Sequence, residues 1–144
     1  MTSNSSKEIP LPFRIRRRKV RRGAALVELA ICMPVITLVI FGAIEAAGMI
    51  FLKQAIVQTA YEGVKVAAKR DGTESAARTA AASVTQGRNL EGVQINFDPA
   101  DVENTPRGTK IRVLVSAPAD DNSLINFGFF RGRQLSVEAV MLKE

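Results

Sequence analysis

The sequence predicts an α+β protein: a long N-terminal membrane-spanning helix that continues into a small helix-plus-sheet domain with three antiparallel strands. Three observations carry that expectation. Residues 24–52 form a run of 29 residues in which only Glu28 and Glu45 are charged. Apolar residues then recur at helical spacing through residues 54–86. After residue 92 the apolar period falls to two, in three short runs parted by turn-forming residues.

The chain opens with MTSNSSKEIPLPF, polar and then broken by prolines, a composition that predicts disorder. Residues 14–22, RIRRRKVRR, are a dense basic block. Such a block reads as a nucleic-acid or nuclear patch, as a mitochondrial presequence, or as the cytoplasmic flank of a membrane segment. The apolar run that begins immediately after it favours the third. Positive charge beside a membrane segment stays on the cytoplasmic side, where anionic lipid attracts it. A long hydrophobic helix is also foreign to an amphipathic transit peptide.

Location decides what the net charge of +6 means. Of the 20 bases, eight lie in residues 1–22 beside one of the 14 acids; the rest of the chain holds twelve and thirteen, a net of −1. No basic face remains for a nucleic-acid-binding domain.

A helix needs about 20 apolar residues to cross a bilayer. Residues 29–44 are 16 without charge, and extension through Glu45 to Leu52 gives length enough to span with tilt. A signal peptide's apolar region is shorter, about 7–15 residues, and ends at a small-x-small site. The flanks therefore orient the chain with its N-terminus in the cytoplasm and everything after Lys53 on the far side. A carboxylate at the centre of a spanning helix costs about 2.5–3.5 kcal/mol on insertion scales. Glu28, near the cytoplasmic end, calls for a cation from a neighbouring copy, whereas Glu45, near the outer end, is expected to face water. Pro34 removes one backbone donor and loosens the helix around Ala30. Gly42 and Gly48, with Ala43, Ala46 and Ala47, allow close helix approach.

Beyond Lys53, the residues Ile56, Val57, Ala60, Tyr61, Val64, Ala67 and Ala68 mark one helical face, with Gly72 as the stop. A second helix is expected from Thr73 as N-cap to Gly87, with Ala76, Ala77, Ala80, Ala81 and Val84 as its packing face. The strands are expected at Val93-Ile95-Phe97, at Ile111-Val113-Val115-Ala117, and at Leu135-Val137-Ala139-Met141. The helices at 54–86 would cover the sheet's apolar face. The stretch holding Leu124, Ile125, Phe127, Phe129 and Phe130 reads as a loop plugging the small core. The domain plan is a basic leader at 1–23, a spanning helix at 24–53, a helical part at 54–88 and a sheet at 89–144.

No catalytic constellation appears, and no cofactor is implied. Histidine is absent, which removes the commonest general base and metal ligand. Cys32 is the single cysteine and lies in the apolar run, so no intramolecular disulfide can form and no metal set exists. The glycines are scattered among turns. Asp120-Asp121-Asn122 offers too few oxygens for the six to eight ligands of calcium and reads as a solvated turn. Asp98 and Asp101, flanking Pro99, read as turn formers. An enzyme is not expected.

The residues that depart from a plain anchor are the ones that resemble a family. A basic flank, Arg22-Gly23, then AALVE with the glutamate fifth after the glycine, is the layout of a type IV prepilin. More specifically, residues 22–70 resemble the TadE-like pseudopilins of the tight-adherence (Tad, or Flp) pilus system. The shared marks are Glu28, Pro34, Gly42 with Glu45, and Glu62-Gly63-Val64-Lys65. Leu29 stands where an aromatic often follows the glutamate, and Lys65 replaces the usual arginine.

That resemblance implies a type IV pilin-like fold and a minor pilin without enzymatic activity. It implies cleavage by a prepilin peptidase between Gly23 and Ala24, and pairing of the new Ala24 amine with Glu28 of an adjoining subunit. The implied place is the bacterial inner membrane, with the C-terminal domain periplasmic and possible incorporation into the pilus. The implied partners are the prepilin peptidase, other pilins and pseudopilins, and the Tad assembly machinery. The implied role is pilus assembly in adherence and biofilm formation. Amine and carboxylate would compensate each other in a low-dielectric bundle. The alternative from the residues alone is an uncleaved single-pass membrane protein with a small periplasmic protein-binding domain.

Overall fold

The computed structural model describes residues 22–123, 128 and 130–144. The leader at 1–21 and the aromatic positions Phe127 and Phe129 therefore lie outside the described residues. The expected fold class is the one observed: a long helix α1 (Arg22–Ala67), a second helix α2 (Glu74–Gly87), and strands β1 (Gln94–Asp98), β2 (Lys110–Pro118) and β3 (Gln134–Leu142). A single turn of 3-10 helix, Asp120–Asn122, follows β2.

The chain divides into two units, Met1–Val35 and Ile36–Glu144. In the first, every residue of α1 from Gly23 onward is exposed. Pro34 lies inside the helix, which continues through it. Helix α1 is long and apolar enough to cross a membrane.

The second unit holds the core. Its sheet is an antiparallel meander in the order β1-β2-β3, with Phe97 opposite Val113 and Val113 opposite Ala139. In the central strand β2 the period-two pattern is resolved into two faces. Ile111, Val113, Val115 and Ala117 are buried, and Arg112 and Leu114 are exposed. The buried set packs with Leu52, Ile56, Ala60 and Val64 of α1 and with Ala77 of α2. Each fully buried aliphatic side chain contributes about 1.5–3 kcal/mol through its removal from water. Small residues let the layers meet: a side chain added at Gly63 would lie 3.4 Å from Ala81 Cβ and 3.5 Å from Val113 Cγ1.

Helix α2 begins where its sequence signal lies, with Thr73 Oγ1 accepting a hydrogen bond from the Ala76 N–H at 3.1 Å. Its buried residues are Ala77, Ala81 and Thr85; Ala76 is exposed, and Ala80 and Val84 are half-buried. The packing face is thus rotated from the expected one toward Thr85.

Helix α1 also departs from expectation. It ends at Ala67, earlier than the stop read at Gly72. The chain turns through residues 68–72 so tightly that a Cβ on Gly72 would sit 2.3 Å from the Val66 carbonyl oxygen. Helix ends leave carbonyls without intrahelical partners. Here Lys143, 5% exposed, supplies the donors: its Nζ donates to the Ala67 carbonyl at 3.1 Å and the Gly72 carbonyl at 3.2 Å. The Glu144 N–H donates to the Ala68 carbonyl at 2.8 Å. A cation at a helix C-terminus also meets the negative end of the helix dipole.

Cations on the helices also reach the outer strands. Arg78 of α2 donates to the Ile95 carbonyl of β1 at 3.0 Å, pairs with Glu74 at 2.7 Å and lies 5.4 Å from the centre of the Phe97 ring. Lys53 of α1 donates to the Ser136 carbonyl of β3 at 3.2 Å. Each bond ties a helix to a strand at one edge of the sheet.

Candidate functional site

All six residues singled out from the sequence lie on α1. Gly23, Ala24, Glu28 and Pro34 are exposed and belong to the first unit. A Cβ at Gly23 would meet nothing within 4 Å. Ala24 and Glu28 are four residues apart in one helix, so they share a face one turn apart. Among the described residues Glu28 has no hydrogen bond or ion pair.

Gly42 is half-buried, and Glu45 is not where the sequence reading placed it. Expected to face water, it is 3% exposed. Its Oε1 accepts a hydrogen bond from the Phe130 N–H at 3.3 Å, and its Oε2 has no hydrogen-bond partner among the described residues. The physical reason is the returning chain. The segment after β2 folds back over this turn of α1, with Met49, Ala119, Asp120, Ser123 and Phe130 around the carboxylate. Helical period explains the rest: Glu45, Leu52 and Thr59 lie seven apart, and all three are buried.

The loop that covers Glu45 is held by the acidic turn. Asp120 accepts from the Gly132 N–H with both carboxylate oxygens, at 3.2 and 3.0 Å. Asn122 accepts from the Glu91 N–H at 2.9 Å and donates to the carbonyls of Glu91 and Pro118 at 2.9 and 2.8 Å. These side chains organise the loop and are not aimed at an ion. Arg133 lies 5.5 Å from the centre of the half-buried Phe130 ring. Among the described residues, no group of three or more metal-ligating side chains forms.

Asp101 is the turn former the sequence suggested. Its carboxylate accepts from the Asn104 side-chain amide at 2.8 Å and the Asn104 N–H at 3.1 Å. The Asn104 side-chain bond, then its backbone bond, holds the Asp101 carboxyl below its ordinary range.

An open groove of about 650 Å³ runs beside α1 between Ile44, Gly48, Phe51 and Leu52 on one side and Arg88 and Leu90 on the other. Arg88 lies 5.3 Å from the centre of the Phe51 ring and donates to Gln58 at 2.6 Å. The groove is mainly apolar, and Asn89, Asp121, Asn122 and Ser123 line it beside Arg88.

Sequence reasoning missed the burial of Glu45 and the role of Lys143. The seven-residue phase shared by Glu45, Leu52 and Thr59 was the available signal for the first. Nothing local marks the second.

Residues 23–65 match the family model for TadE-like proteins. No curated protein matches the chain, and no solved structure matches it. The family match covers Gly23, Ala24, Glu28, Pro34, Gly42 and Glu45, and ends within the domain part of α1.

Proposed function

We propose that this chain, TadE-like over residues 23–65, is a pseudopilin or minor pilin of a tight-adherence pilus, inserted in the bacterial inner membrane through α1. A prepilin peptidase cuts it between Gly23 and Ala24, and the domain that follows Lys53 lies in the periplasm. The observation that carries this reading is Glu28: a carboxylate in an apolar helix, exposed and without a partner among the described residues. Such a group is unfavourable in lipid and becomes acceptable only beside a cation. Cleavage supplies one. It frees the Ala24 amine one helical turn from Glu28, and amines and carboxylates of adjoining subunits then compensate each other. The pairing selects register and partner more than it adds net stability, because desolvation offsets much of the attraction.

Cleavage also removes all eight leader bases, so the mature chain has the near-neutral balance of its remainder. The four segments at 1–23, 24–53, 54–88 and 89–144 are then leader, spanning helix, helical support and sheet. The assembled protein contributes to pilus formation, and through it to adherence and biofilm.

Intact mass of the protein purified from membranes is the test. Loss of residues 1–23 is expected, and Gly23→Val is expected to leave the chain full length. A full-length mature protein in the unsubstituted strain would instead support an uncleaved single-pass anchor.

A further inference from the structure

The groove beside α1 crosses a level where the surroundings of the helix change. Ile44, Ala47 and Gly48 line it along the lower turns, and Phe51 and Arg88 line it above. Ile44 lies nine residues before Lys53, where the spanning stretch is read to end. At 1.5 Å per residue that is about 13 Å of helix. The headgroup layer on each side of a bilayer is thinner, about 5–8 Å. The groove therefore starts among acyl chains and ends among headgroups.

Two opposite charges line the same groove. Arg88 lies 5.3 Å from the centre of the Phe51 ring and donates to Gln58 at 2.6 Å. Its other guanidinium N–H groups have no partner among the described residues. Asp121 is exposed and has no hydrogen bond or ion pair among the described residues. Asn122 fixes the segments that carry the two charges. Its side chain bonds both the N–H and the carbonyl of Glu91, three residues after Arg88. An unpaired cation and an unpaired anion are thus held apart over one apolar trough.

We infer that this groove binds one phospholipid with an ammonium headgroup, a phosphatidylethanolamine from the leaflet on the domain's side. An acyl chain lies along Ile44, Ala47 and Gly48, the phosphate meets Arg88, and the ammonium meets Asp121. The inference rests on the reading that α1 crosses the membrane, and not on cleavage. Charge complementarity selects the occupant. An anionic lipid answers Arg88 but brings a like charge to Asp121. A soluble zwitterion answers both charges but leaves the apolar lower wall uncovered. Phosphatidylethanolamine answers all three, and its primary ammonium donates charge-assisted hydrogen bonds that a quaternary one cannot. Gly48 leaves room for the chain, since a Cβ there would meet nothing within 4 Å.

Native mass spectrometry of the full chain, purified from membranes in mild detergent and titrated with defined lipids, tests this. One phosphatidylethanolamine per chain is expected to be retained, bound about tenfold more tightly than phosphatidylglycerol. Arg88→Gln is expected to weaken phosphatidylethanolamine binding about tenfold. Arg107→Gln, at an exposed arginine outside the groove, is expected to leave it unchanged. Asp121→Asn removes the ammonium's partner and the repulsion of an anionic lipid, and is expected to abolish the preference; exposed Asp71→Asn is expected to preserve it. Gly48→Leu fills the lower trough at a helix position the larger residue suits, and is expected to weaken both lipids alike. The inference is overturned by a parent that binds phosphatidylglycerol as tightly as phosphatidylethanolamine or retains neither. Binding unchanged in Arg88→Gln or Gly48→Leu, or a preference unchanged in Asp121→Asn, overturns it as well. Alkaline carbonate extraction and intact mass of the same membranes report insertion and cleavage separately. Release by carbonate defeats the membrane reading and this inference with it, whereas an inserted chain without the lipid defeats this inference alone. An uncleaved but inserted chain that binds the lipid would defeat the processing proposal and leave the lipid site standing.

Discussion

The two parts of α1 each carry one carboxylate in an apolar surrounding, and the chain treats them in opposite ways. Glu45 is covered by its own domain, with a backbone N–H at 3.3 Å. Glu28 is left exposed with no partner in the described chain. On the reading proposed above, a carboxylate that the domain encloses serves folding, whereas one without a partner among the described residues serves assembly. The same division separates the surfaces around them. From Leu52 onward one side of α1 forms the core with β2, while the other side still presents Ile50, Val57 and Tyr61.

The largest effect that tests this contrast is at Glu28. Glu28→Ala is expected to leave membrane insertion and domain stability unchanged and to abolish incorporation into pili, read by electron microscopy and by assays of surface-attached cells. A normal pilus in that variant would remove the distinction between the two carboxylates.

Lys143 tests the folding side of the comparison. Its Nζ holds two carbonyls at the end of α1 from a nearly enclosed position. Lys143→Met keeps the length of the aliphatic stem and deletes the donors. Hydrogen bonds to charged groups contribute about 1.5–3 kcal/mol, and the strand's other links to this turn remain. A loss of about 2 kcal/mol is expected in chemical denaturation of the full chain in mild detergent. An unchanged midpoint would mean that water serves the helix end equally well.

Glu45 is expected to show a smaller change, because one oxygen is bonded at 3.3 Å and the other has no partner among the described residues. Glu45→Gln retains the oxygen acceptor for Phe130 and removes a buried carboxylate, whose enclosure is unfavourable without full hydrogen bonding. Stability is expected to stay within about 1 kcal/mol of the parent, the scale of one net hydrogen bond. A larger loss in the same denaturation measurement would show that the carboxylate itself organises the covering loop.

What the sequence disclosed follows from the range of the interactions involved. The strands were legible because alternation in Ile111, Val113, Val115 and Ala117 is local and β2 buries one face. The start of α2 was legible because a threonine cap bonds three residues ahead. The bond from Glu45 to Phe130 joins residues 85 apart, and that from Lys143 to Ala67 joins residues 76 apart. No local pattern encodes either. The open face of α1 was misread for a different reason. Apolar residues surround most of the helix between Lys53 and Ala68, and periodicity alone does not say which stripe the sheet will choose. The residues near Gly23 stood out only as a motif, since among the described residues Glu28 has no hydrogen-bond or ion-pair partner.

Asp101 completes the comparison with a carboxylate that is satisfied in water. Both its oxygens accept from Asn104, and its carboxyl is held below the ordinary value of 3.8. A folded-state value below the unfolded one means that the contribution is present above the unfolded value and fades as pH falls through the folded one. The window therefore lies below about pH 3.8. Asn104→Ala removes the side-chain amide, the leading cause of the shift, and leaves the backbone N–H. The Asp101 value is then expected to rise toward 3.8 without reaching it, followed through its carboxyl carbon by NMR titration. A titration identical to the parent's would mean that the side-chain bond does not persist in solution. Domain stability at neutral pH is expected to change least of all these variants, because exposed polar pairs exchange readily with water. The fold tolerates loss of a carboxylate's partner where water can replace it.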